Sequence, residues 1–185
     1  MCVIRKWGET EDLSSKNELY IIRVIIERNT YYIFGYMDDE EDKVLLDTCD
    51  KLIFFTDEEL ASLFVVENGY EINDEIFSMS WNILEELKNE IINCETVLNY
   101  WNILSDVAHS IKAHFIGDKK NGMIQNIYEK LFYGCNLPAI KKSEKEYIPQ
   151  WTEEEKNGII EVIENGFDIL IAAFKSGNSP KSKEV

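Results

Sequence analysis

Positive charge, histidine and proline are scarce in this chain, and uninterrupted apolar runs are short. It has 19 Lys and Arg against 35 Asp and Glu, a formal net charge of −16. A field of that sign disfavours non-specific binding to nucleic acid or to anionic membrane. No run approaches the roughly 18 apolar residues that a bilayer-spanning helix needs. The opening stretch MCVIRKWGETEDL lacks an apolar h-region, so the sequence reads as cytosolic, with no membrane or nucleic-acid partner. With only 2 histidines, His109 and His114, the inventory for proton transfer is thin. Asp106 and His109, three apart on one predicted helix, are the candidate acid–base pair, against a plain reading of both histidines as surface or packing residues. The cysteines, Cys2, Cys49, Cys94 and Cys135, are more than 40 residues apart with no C-x-x-C, which indicates neither a zinc site nor a disulfide framework. Buried, reduced thiols are the expectation. No G-x-G-x-x-G, G-x-x-x-x-G-K, H-E-x-x-H or G-x-S-x-G occurs, so no cofactor is implied.

What is present is 45% hydrophobic and 12% aromatic, enough for one substantial core in 185 residues. ELYIIRVIIE and YYIFGYM are rich in β-branched and aromatic residues and are broken by RNT, the pattern of a hairpin. KVLLD and KLIFF, separated by TCD, extend it to an antiparallel meander of three to four strands. From TDEEL the period becomes helical, with Thr56 and Glu59 spaced as a capping box and Leu60, Leu63 and Phe64 on one face. The second half reads as about four helices. SWNILEELKNEII follows a possible Ser80 cap, and CETVLNYWNILSDVAHSIKAHF carries a stripe from Val97 to Phe115 that IGD ends. NGMIQNIYEKLFYG precedes an extended CNLPAIKKSEKEYIPQW, and a second capping box, Thr152 to Glu155, opens the last helix. Gly158 and Gly166 in that helix each cost about 1 kcal/mol relative to Ala unless packing needs them. Trp81, Trp101 and Trp151 read as packing residues. The expected fold is therefore α+β, an acidic N-terminal sheet with a short helix (1–66) joined to a helical part (67–176), with a disordered tail at 177–185.

The charge is unevenly placed. Residues 1–95 hold 23 acidic and 8 basic side chains, and residues 96–185 hold 12 and 11. Between Asp38 and Glu75 there are 14 carboxylates against Lys43 and Lys51 alone. The densest run, Asp38, Asp39, Glu40, Glu41 and Asp42, falls on a turn between two predicted strands. It does not make a calcium loop: counted from Asp38, position six is Lys43 and position twelve is Cys49, where Gly and Glu are required. Glu41 to Lys43 meets the E-x-K spacing of metal-dependent nucleases, but three residues in so acidic a chain weigh little, and the net charge opposes a polyanionic substrate. No metal ligand set is assigned. A solvated turn that discourages edge pairing is the plain alternative.

The arrangement as a whole, LYIIRVIIERNTYYIFGYMDDEEDKVLLD, then DEELASLF, VLNYWNILSDVAHSI and YEKLFYGCNLPAI, resembles the small immunity proteins that accompany bacterial polymorphic toxins, including those of contact-dependent growth inhibition. The resemblance spans about residues 17–175. It implies function by binding, with a cognate basic toxin domain, commonly a nuclease, blocked at its cleft; it carries no catalytic residues to transfer. The charge pattern points the same way, since closely spaced carboxylates can compete for a cleft built for phosphates. The expected contact residues are Asp38, Asp39, Glu40, Glu41, Asp42, Tyr36, Asp57, Glu58 and Glu59, with anchors among Tyr31, Tyr32, Tyr36 and Phe55. An acidic adaptor module and a metal-dependent hydrolase are the alternatives.

Overall fold

The computed structural model describes residues 18–120, 122–138, 146–177 and 179, except the side chains of Asp74 and Glu75. The N-terminal stretch with Cys2, the lysine cluster at 141–145 and most of the expected disordered tail lie outside the described residues. Strands β1 (Glu18–Ile26), β2 (Asn29–Asp38) and β3 (Glu41–Val44) form successive antiparallel hairpins, and β4 (Glu71–Ser80) completes a sheet of order β3-β2-β1-β4. Helix α1 (Glu58–Glu67) precedes β4, and α2 (Ile83–Lys88), α3 (Cys94–Ser110), a 3-10 turn (Ile116–Asp118), α4 (Met123–Gly134) and α5 (Glu153–Ser176) follow it.

The chain is thus mixed α and β, with a largely antiparallel sheet and a helical C-terminal part, but the sheet is no simple meander. β4 pairs parallel to β1, reached by a crossover of the chain through α1 that antiparallel hairpins do not require. EINDEIFSMS, with acidic and amide residues at its centre, carries too weak a β signal to announce itself. KLIFF does not become a full strand either. Residues 47–51 close a tight loop in which Asp47 accepts from the backbone of Cys49 at 2.7 Å and Lys51 at 3.0 Å. After it, Phe55 bridges Tyr32 and Leu52 bridges Leu46, so this segment only extends the β2 edge where β3 leaves off.

Alternation puts the strand side chains into two cores. Ile22, Val24, Ile33 and Val44 meet the helices, around Trp101, Leu104, Phe167 and Leu170. Leu19, Ile21, Tyr32, Phe34 and Leu45 meet Phe55 and the inner stripe of α1, Ala61, Phe64 and Val65. The sheet is therefore sandwiched between α1 and the bundle. Leu63, expected on the core face of α1, points outward; the buried stripe follows 61, 64 and 65 instead. The cap of α1 is Asp57, accepting from Leu60 N–H at 3.0 Å, and not Thr56. Ser80 ends β4, so α2 starts behind Asn82, and it closes at Asn89 before Glu90 at φ of 63°, leaving it 6 residues long. α3 stops at Ser110, short of Phe115, which is nonetheless buried. The Thr152 capping box is complete. The thiols of Cys94 and Cys135 are free and half-buried, whereas Cys49 is exposed and disulfide-bonded, contrary to the reading of reduced thiols throughout.

The β2–β3 connection carries a local conflict. Asp38 pairs with Glu41, leaving the two-residue turn Asp39–Glu40, with φ of 49° and 69°. Two successive positive φ values define the type I′ turn, which Asn-Gly serves best. Changing Asp39 to Asn together with Glu40 to Gly should stabilise the protein by about 1 kcal/mol, through lower strain and less repulsion. Urea unfolding checks this, and an unchanged midpoint would show that the turn is not strained.

Candidate functional site

The nine expected contact residues do not form one patch. Tyr36, Phe34 and Tyr32 project from β2 toward α1, whose Phe64 stacks on Phe34 with centroids 5.8 Å apart. Tyr32 donates to Glu58 at 3.2 Å, which fixes the N-terminus of α1 beside that end of β2. The acidic hairpin lies six residues further along β2, about 20 Å away. The carboxylates thus form two groups, Asp57, Glu58 and Glu59 at one end and the hairpin at the other.

The hairpin run is itself divided by strand alternation. Asp38 turns to the α1 face, 3.0 Å from Lys43, and its carboxylate holds the Lys43 ammonium above the ordinary lysine range. Lys43 of the Glu41–Lys43 spacing is therefore committed within the hairpin. Asp42 turns to the opposite face, accepting from the Tyr20 hydroxyl at 3.3 Å. Gly35 opposite Tyr20 makes this possible, because a Cβ there would stand 2.2 Å from the Tyr20 ring. Asp39 and Glu40 at the tip, and Glu41, are exposed. Of the expected anchors, Tyr32 and Phe55 are buried, and Tyr31 is stacked on Phe174 at 4.2 Å, so these are core residues; Tyr36 remains half-exposed.

Between the two acidic groups runs the outer side of α1. Glu59, Leu63 and Val66 are spaced to share one helical face, flanked by Glu58 and Ser62, and the five line a shallow open depression. Leu63 is 54% and Val66 75% exposed. Sequence reading missed this because α1 is apolar on two sides, and the stripe containing Leu63 was assigned inward. The signal available was DEELASLFVVE itself, whose apolar residues are too many for one stripe.

The acid–base candidates lie on the other face. Asp118 accepts from Ser105 at 2.8 Å and meets His109 Nε2 at 2.8 Å, so serine and histidine share one carboxylate instead of forming a relay through the imidazole. His114 is exposed. Asp106 is half-buried near Asp42, and its pKa is raised to about 7, by desolvation first and then by Asp42 and Asp118, with His109 opposing. Burial, and then Asp42 and Asp106, push the Tyr20 hydroxyl above its ordinary range. This cluster joins the hairpin to α3, where Ser110 also accepts from Val44 N–H at 3.0 Å. Among the described residues no group of three or more His, Cys, Asp or Glu is arranged to hold a metal ion, and no helix is long and apolar enough to cross a membrane.

No protein-family model matches the chain, and neither does any curated relative. Among solved structures, the SatS C-terminal domain, crystallised in complex with bromine, shares the fold with a TM-score of 0.52 and 10% identity, over 88% of this chain and 94% of that one. At that identity the likeness concerns architecture alone.

Proposed function

We propose that the protein acts by binding, as an immunity-type inhibitor that occupies the cleft of a basic toxin domain, a nuclease being the class whose cleft its charge would suit. The observation that carries this reading is the outer side of α1, where exposed Leu63 and Val66 sit among Glu58, Glu59 and Ser62. Carboxylates alone steer a basic partner but give little lasting affinity; desolvated apolar anchors slow its departure. Here both occur on one helix, and the exposed Asp39, Glu40 and Glu41 extend the negative field from the far end of the same face. The division of roles is specific. α1 holds the partner, and the hairpin accelerates its arrival.

The test expresses the protein beside the products of its neighbouring reading frames; one of them should be a toxin with a basic domain that this protein binds and neutralises, and the absence of any such toxin would count against the reading. Replacing Leu63 and Val66 with Arg should weaken binding on the order of 100-fold, mainly through faster dissociation, and abolish protection of cells expressing the toxin. Replacing Asp39, Glu40 and Glu41 with Asn, Gln and Gln should slow association by about tenfold at low salt and leave dissociation unchanged. Stably folded α1 variants that bind and protect normally would overturn the reading.

A further inference from the structure

The sheet has two edges of unlike character. β3 is 4 residues long and ends at the acidic turn, whereas β4 is 10 residues long and, among the described residues, has β1 as its only strand neighbour. Natural proteins blunt such edges by bulges, inward charges or cover. β4 has the first device at one end: between the pairs Leu19–Ile72 and Ile21–Ile76 it carries extra residues. At the other end the Ser80 N–H is taken by the Tyr100 hydroxyl at 2.8 Å. The stretch from Ile76 to Met79 between them has neither.

The hydrogen-bonding sense of that stretch follows from its ends. Trp81 N–H donates to Ile25 of β1 at 2.9 Å, while Ser80 N–H reaches Tyr100 away from β1. Because a strand's peptide groups alternate in direction, the N–H and C=O of Ile76 and Ser78 face the open edge. Alternation also sets Ile76 on the α1 face and Phe77 on the bundle face, where it packs edge-on to Tyr20 at 5.4 Å. Both are 40% exposed or more, so the edge offers backbone groups with an apolar side chain above and below.

We infer that the Ile76–Ser78 edge of β4 accepts an extended strand of a partner protein in which apolar residues alternate with lysine or arginine. Charge selects that occupant. The sequence of β4, EINDEIFSMS, has acidic residues at 71, 74 and 75 and no Lys or Arg, and Arg23 of β1 beside it is engaged, donating to Ser78 at 3.2 Å. A second copy of this chain would set the same acidic sequence and another net charge of −16 against it. Main-chain bonds would give affinity, and the apolar neighbours and acidic flank would give preference, as in strand addition generally. This edge is separate from the outer side of α1 and does not depend on it.

The test follows amide signals of the isotope-labelled protein on adding a capped nonapeptide of alternating valine and lysine, with the valine–glutamate counterpart as control. The expected result is shifts and slowed hydrogen exchange centred on Ile76 and Ser78, with at least tenfold tighter binding of the lysine peptide. Ser78→Pro deletes an outward N–H, a place where an edge strand tolerates proline. It should reduce lysine-peptide binding at least tenfold. Ile76→Lys, which keeps the backbone intact and puts a like charge against the lysine peptide, should do the same if Ser78→Pro melts early. Leu63→Arg with Val66→Arg should leave this binding unchanged, so a failed toxin assay and a failed strand assay are distinguishable. Equal binding of both peptides, shifts centred on α1 or the hairpin, or self-association through β4 in the absence of peptide would each overturn the inference.

Discussion

Gly166→Ala is expected to destabilise the protein by about 2 kcal/mol, although Ala is the better helix former by about 1 kcal/mol. A Cβ at Gly166 would lie 2.6 Å from Leu104 Cδ1 and 2.8 Å from Leu104 Cβ. The Leu104 Cβ is fixed to the backbone of α3 and the residue is fully buried, so rotamer change cannot relieve the clash and α3 and α5 must move apart. Gly158 in the same helix is the internal control. Its added Cβ would meet Ile127 Cδ1 at 2.7 Å and Met123 Cε at 3.2 Å, both ends of flexible side chains that can swing aside. Gly158→Ala should therefore fall within about 1 kcal/mol of the parent, its propensity gain offsetting local crowding. Thermal melts should separate the two variants by several degrees, since each kcal/mol moves a domain of this size by roughly 2–4 °C. A Gly166→Ala protein melting with or above the parent would show that the α3–α5 contact is looser than its geometry states.

The pair of glycines shows what a sequence can and cannot carry. Their presence in a helix announces that packing wants them, because the propensity cost demands an offset; which of the two faces a rigid neighbour depends on where α3 crosses α5. The same boundary runs through the fold. β1 and β2 are legible from their β-branched and aromatic composition and the last three helices from their periodicity, and in α5 a capping box fixes the start as well. β4 is not, because parallel pairing to β1 stabilises a sequence that local propensity would leave as a loop. Helix α2 is shorter than its pattern at both ends, since β4 consumes Ser80 and the chain leaves the helix at Asn89, with Glu90 at φ of 63°.

The candidate site was legible as charge and illegible as geometry. Counting carboxylates located the acidic half of the chain, yet counting cannot say that alternation sends Asp38 to Lys43 and Asp42 to Tyr20 on opposite faces. Nor can it show that Tyr31, Tyr32 and Phe55 are consumed by the cores while Leu63 and Val66 are left outside. The exposed apolar residues, which distinguish a docking surface from a merely solvated acidic one, became visible only once α1 was docked.

Asp106 carries the other large expectation, a pH-dependent stability. With its folded-state pKa at about 7 and its ordinary value at 3.8, the folded protein keeps a proton that the unfolded chain releases. Stability from this group is full below about pH 4, declines as pH rises through the window from 4 to 7, and levels off above 7. A shift of this size would be worth about 4 kcal/mol for a fully enclosed group, and partial solvent access reduces it to roughly 1–2 kcal/mol. Asp106→Asn removes the titration while keeping the shape. At pH 8 the variant should be more stable than the parent by about that 1–2 kcal/mol, and at pH 4 the two should coincide. Asp42→Asn should act in the same direction but less, because desolvation is the larger cause of the shift and Asp42 the next. Denaturant unfolding of the three proteins at pH 4, 6 and 8 provides the check. Parallel pH profiles for parent and Asp106→Asn would mean that Asp106 is ionised in the folded protein throughout, and that the hairpin–α3 contact holds two like charges by hydration instead of by a retained proton.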